Sequence, residues 1–130
     1  LHYATTEVDG TSASTRGDNA VMKVSYAIGS ITAAYSNNEM DMGSTTTDYE
    51  STSIGLTYTV SDELSVTVGT ETHESSASST VDAEIDGISF AYTAGGMTLS
   101  GGVTQGENLD YSTSTAADVD QWTLGASFAF

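Results

Sequence analysis

The feature that most limits what this chain can fold into is its alternation. Apolar or aromatic residues exchange with small polar ones at successive positions, in segment after segment, and no proline interrupts them. A period of two belongs to strands, whose successive side chains point to opposite faces. In the last segment Trp122, Leu124, Ala126, Phe128 and Phe130 share one face, and Gln121, Thr123, Gly125, Ser127 and Ala129 share the other. Ile54, Leu56, Tyr58 and Val60 stand in the same way against Ser53, Gly55, Thr57 and Thr59, and Leu64, Val66 and Val68 against Ser65, Thr67 and Gly69. Met97, Leu99 and Val103 oppose Thr98, Ser100 and Thr104. Alternation and turn residues together place eight strands, over 1–8, 19–29, 30–38, 49–60, 63–74, 81–94, 96–106 and 118–130. The expected class is all-β and antiparallel.

Composition decides what kind of β-protein this is. Ser, Thr, Gly and Ala dominate and the net charge is -16, a balance that leaves a soluble chain too little apolar area for a core. No apolar run reaches the ~18 residues of a membrane helix, so the bilayer-spanning structure still open to this chain is a β-barrel. Cysteine is absent, which excludes a disulfide framework and thiolate metal sites. Arg16 and Lys23 are the only firm positive charges, too few to neutralise phosphates, so no nucleic-acid partner is expected. Leu1, Tyr3 and Thr5 already alternate with His2, Ala4 and Thr6. The chain is therefore expected to be part of something longer.

The connections alternate in length. Gly29-Ser30, Ser61-Asp62 and Gly95 are tight turns, whereas 9–18, 39–48, 75–80 and 107–117 are long and polar. Up-and-down membrane barrels have this asymmetry, with short periplasmic turns and long extracellular loops. Placing Phe130 at the periplasmic side makes every short turn periplasmic. Acidic residues sort the same way: only Asp62 and Glu63 fall in or beside a short turn. Tyr26, Tyr58, Tyr92 and Phe128 lie near the short-turn ends, where an interfacial aromatic girdle belongs. The small polar face, including Thr57, Ser65, Thr67, Ser89, Thr98, Ser100, Thr123 and Ser127, is expected to line a lumen.

On the hairpins 54–66 and 87–98 and the final strand, the chain resembles the general porins of Gram-negative bacteria, particularly the alphaproteobacterial type. The resemblance covers most of the chain. It implies sixteen-stranded homotrimers in outer-membrane lipid and lipopolysaccharide that pass small hydrophilic solutes, without enzymatic activity. The chain would then be a single domain, 1–130, forming the C-terminal strands of that barrel. The resemblance also implies that Phe130, Phe128 and Trp122 form the signal read by the barrel-assembly machinery. One departure is plain: the family sets inward basic residues against acidic ones on an inserted loop, and no basic cluster occurs here. The residues themselves argue against a self-closed eight-stranded barrel, because so narrow a barrel must be filled and these inward positions are small.

Other motifs carry less. Arg16-Gly17-Asp18 spells an adhesion tripeptide in a Ser/Thr/Gly-rich loop and reads as chance. Asp82, Glu84 and Asp86 with Gly87 begin like a calcium loop, but the twelfth position is Thr93 where a bidentate Glu is required. A looser acidic rim collecting Ca²⁺ or Mg²⁺ is the expectation left by those three residues, and no other cofactor is expected. His2 and His73 have no third ligand at usable spacing, and no nucleophile elbow accompanies the serines. Three functions compete: a diffusion porin made cation-preferring by acidic loops, a structural or adhesive surface β-protein, and a small closed barrel. Regular alternation also puts Asp86 on the face of Ile88, Phe90 and Tyr92, inside an apolar band about 25 Å tall. A β-bulge at Gly87 is expected to turn it inward; the rival reading keeps regular alternation and covers Asp86 with a neighbouring subunit, or raises it to the headgroup level where divalent cations bridge it to lipopolysaccharide.

Overall fold

A computed structural model describes residues 2–8, 17–43, 47–113 and 117–129, with side chains for all of these except 2–8 and 17. Eight strands are present: β1 (His2–Val8), β2 (Gly17–Ile28), β3 (Ile31–Asp41), β4 (Tyr49–Thr59), β5 (Leu64–Ser75), β6 (Ala83–Ala94), β7 (Met97–Glu107) and β8 (Val119–Phe128). They form one sheet in chain order, each strand antiparallel to the next. No pairing among the described residues joins β1 to β8, so the sheet is open, as the wall of part of a barrel is. β3 runs past its expected end at 38 because Glu39 and Met40 still find partners in Ala20 and Asn19 on one side and Glu50 and Tyr49 on the other.

Two of the three short turns rest on glycine. Gly29 has φ 57°, the positive value that a two-residue hairpin turn needs at its first central position. Gly95 and Gly96 both have positive φ, 57° and 81°, so the third turn uses both glycines. The longer β4–β5 turn closes through Val60 N–H donating to Leu64 O at 2.8 Å, and Ser61 Oγ accepts from the Glu63 and Leu64 amides.

The register fixes the tilt. From the last β2–β3 pair, Ile28 with Ile31, the ladder crosses through Tyr58 and Val66 to Phe90, four residues short of Ala94, which ends the β6–β7 ladder. Four residues at ~3.3 Å over four strand spacings of ~4.8 Å is a tilt of about 35°. That is the tilt at which sheets close into barrels.

The sheet has no core of its own. Ala83 is the one buried hydrophobic residue among those described, and Trp122, Tyr26, Leu124, Ile28 and Phe128 are each 60% exposed or more. An apolar face of this extent marks a surface that a membrane or another protein covers.

Candidate functional site

Because directly opposed residues share a face, the seven ladders sort every strand residue to one side or the other. One face carries Tyr26, Tyr58, Val68, Ile88, Tyr92, Val103, Trp122, Leu124 and Phe128; the other carries Ser25, Ser53, Thr57, Ser65, Thr67, Ser89, Thr98, Ser100, Thr123 and Ser127. The polar face is concave: a trough of about 790 Å³ crosses it from Lys23 on β2 to Thr123 on β8, lined chiefly by residues of that face. A smaller groove of about 450 Å³ marks the apolar face between Leu56 and Val103. Hydroxyl pairs join strands along the concave wall, Thr57 to Thr67 and Thr93 to Thr98, each 2.9 Å apart.

The aromatics on the outer face step with the tilt. The ladder through Tyr26 reaches β4 at Leu56, two residues before Tyr58. The ladder through Tyr58 reaches β6 at Phe90, two before Tyr92, and that through Tyr92 reaches β8 at Ala126, two before Phe128. The short turns descend at the same rate, so Tyr26, Tyr58, Tyr92 and Phe128 stand level along a barrel axis.

Carboxylates form a second level row. Asp18, Glu39, Asp41, Glu50, Glu74, Glu84, Asp86, Glu107 and Asp120 all lie on the outer face towards its long-loop edge, with Asp86 set one row nearer the apolar residues than Glu84. Several stand directly opposite one another: Asp18 and Asp41, Glu39 with Glu50 and Glu50 with Glu74, and Glu84 with Glu107. Like charges so placed repel, and neighbouring amides relieve part of this. Asn37 Nδ2 donates to Glu50 Oε1 at 2.6 Å, and Gln105 Nε2 to Asp120 Oδ1 at 3.2 Å.

The bulge expected at Gly87 does not occur. Asp86, Gly87 and Ile88 pair without interruption with Thr70, Gly69 and Val68 on β5 and with Gln105, Thr104 and Val103 on β7. Asp86 stays on the outer face, exposed. The physical reason is its row: with Thr70, Gln105 and Asp120 beside it, Asp86 sits in polar company two residues below Glu84, and nothing drives the ladder to slip. Asp82 stands just before β6, and among the described residues no group of three or more His, Cys, Asp or Glu is gathered closely enough to hold a metal ion. Phe130 and Arg16 lie outside the described residues.

The concave face carries two firm charges among the described strand residues, Lys23 and Glu71. Glu71 Oε1 accepts from Ser51 Oγ at 3.1 Å and lies 3.0 Å from His73 Nε2. At the loop end of that wall the β7–β8 connection brings Tyr111 to 6.1 Å from Tyr49, ring centre to ring centre. Val81 N–H donates to Tyr111 O at 3.1 Å, which ties the same loop to the segment entering β6.

A tilted up-and-down sheet with an apolar outer face and a concave polar inner face is the wall of a membrane β-barrel channel. Comparison with known families agrees: the sequence model of a family described as Gram-negative porin matches residues 1–130. The chain belongs to that family, and with it to porin-type channels of the outer membrane. No curated protein and no solved structure matches it.

Proposed function

We propose that the protein is a passive-diffusion pore for small hydrophilic solutes and ions, with a modest preference for cations. The observation that carries this reading is the concave wall, which is lined by hydroxyls and glycines and nearly free of charge, while the other described strand carboxylates stand on the opposite face. A wall of short polar side chains leaves room for water, as wide barrels require. Cation preference then arises from the acidic rows and long loops around the mouth, whose field raises the local concentration of positive ions.

In this reading the eight strands are the C-terminal part of a sixteen-stranded barrel that assembles as a homotrimer, with 1–130 as one domain. Tyr26, Tyr58, Tyr92 and Phe128 mark the periplasmic interface, and the long loops face outward. The carboxylate rows, with Asp82, Glu84 and Asp86, meet the headgroups of lipopolysaccharide, where Ca²⁺ or Mg²⁺ bridges them to phosphate. Trp122, Phe128 and Phe130 supply the signal for the barrel-assembly machinery.

Planar-bilayer recording of the full-length protein tests the reading. Stepwise, ohmic conductance that admits small sugars is the expected result. A protein that inserts but never conducts would instead be a structural or adhesive barrel, and the pore reading would be wrong.

A further inference from the structure

We infer that the inner wall holds a subsite for small zwitterions, solutes bearing an ammonium and a carboxylate, between Lys23 and Glu71. The inference rests on the pore reading and names a solute class for it. Lys23 stands opposite Ser36, Ser36 opposite Ser53, and Ser53 opposite Glu71, so the four residues form one register row across β2 to β5. All four line the same trough. Three strand spacings of ~4.8 Å separate the two charged residues by about 14 Å at the backbone. Both side chains rise from the same concave wall on stems long enough to close part of that distance.

The surroundings favour occupancy of that gap. Ser36 and Ser53 put hydroxyls on its floor. Gly55 and Gly69, opposite each other on the next row of the same face, leave it without obstructing side chains. The Glu71 carboxylate is held by Ser51 beside His73, which fixes one end of the dipole. Lys23, by contrast, swings on a flexible stem and adapts to the solute's length. Among the described strand residues of this face no other firm charge competes for either end of the ligand.

The test uses the full-length protein in planar bilayers, with glycylglycine as the zwitterion and triethylene glycol as a neutral solute of similar size. Glycylglycine is expected to reduce the potassium current about fivefold more strongly at equal concentration, as one exposed charge contact at each end allows. Lys23→Gln and Glu71→Gln should each erase that excess. If the channel conducts but the two solutes act alike, or the excess survives in either variant, the subsite is refuted and the pore reading stands. An excess matched by ethylammonium and indifferent to Lys23→Gln also refutes it, since a carboxylate alone would then account for it. Failure of the inserted protein to conduct overturns the pore reading, and the subsite falls with it.

Discussion

Asp18 and Tyr26 stand eight residues apart on the outer face of β2, and the same interval recurs on every second strand: Glu50 and Tyr58 on β4, Glu84 and Tyr92 on β6, Asp120 and Phe128 on β8. Eight residues at ~3.3 Å, inclined by about 35°, rise about 22 Å along the barrel axis. An apolar band in this class of barrel is about 25 Å tall. The repeat is a ruler: an aromatic at one edge of the lipid-facing band and a carboxylate at the other. Asp86 alone of these four strands' outer carboxylates falls inside the interval, one row short of Glu84.

The two faces should therefore respond oppositely to the same substitution at adjacent positions. Val68→Arg puts a charge in the middle of the band and is expected to cost about 2–4 kcal/mol. Thr67→Arg, one residue earlier and on the concave face, should leave stability nearly unchanged while narrowing the pore. Urea unfolding of the full-length protein from lipid vesicles measures both. Equal costs at the two positions would mean that the polar face is not wet.

How much of this was legible in the sequence follows from which features are local. The eight strands and their faces are readable because alternation is a property of neighbouring residues, visible at Trp122-Thr123-Leu124 without reference to any other segment. Register is not local. The level row from Tyr26 to Phe128 and the opposition of Glu39, Glu50 and Glu74 exist only once six ladders are laid side by side. That is also why Asp86 reads as a misplaced charge in the sequence, and as one more member of a polar row in the structure. The row that sets Lys23 and Glu71 on one wall is hidden in the sequence for the same reason, and the local signal is only that each charge falls on the face opposite most of its strand's apolar residues.

Removing Phe130 is expected to block assembly while leaving synthesis intact. In the sequence Phe130 continues the alternation of Trp122 and Phe128, and the described part of that face is open, with Trp122 76% exposed. Heat-modifiable migration of the membrane fraction separates assembled barrel from unfolded chain. Normal assembly of the truncated protein would remove the role assigned to the terminal strand.

Ion preference should be modest and should fade with salt. Lys23 and Glu71 balance on the concave wall, so selectivity has to come from the carboxylate rows and loops, across several ångströms of water. Screening shortens that reach from ~10 Å at 0.1 M to ~3 Å at 1 M. Reversal potentials under a tenfold gradient should favour the cation at low concentration and approach neutrality at high. The triple change of Glu39, Glu50 and Glu74 to Gln should weaken the preference. Anion selectivity in the complete channel would contradict the assignment.

The glycines of the wall are not equivalent, and two of them give the sharpest test of the ladder. A Cβ on Gly102 would meet Ile88 O at 2.8 Å and Ser89 Cβ at 3.0 Å, contacts that the backbone of β6 cannot yield without disturbing its pairing with β7. A Cβ on Gly55 would find nothing nearer than Val68 O at 4.0 Å. Neither glycine has a positive φ, so the difference is one of space. Gly102→Ala is expected to destabilise by about 1–3 kcal/mol, the usual cost of forcing an atom into a filled site. Gly55→Ala should be neutral or stabilising by roughly 0.5–1 kcal/mol, because it removes conformational freedom from the unfolded chain. Both variants present a methyl group to the same concave wall, so any effect of pore lining cancels in the comparison. If their unfolding midpoints coincide, β6 and β7 are not as closely apposed at Ser89 and Gly102 as the register places them.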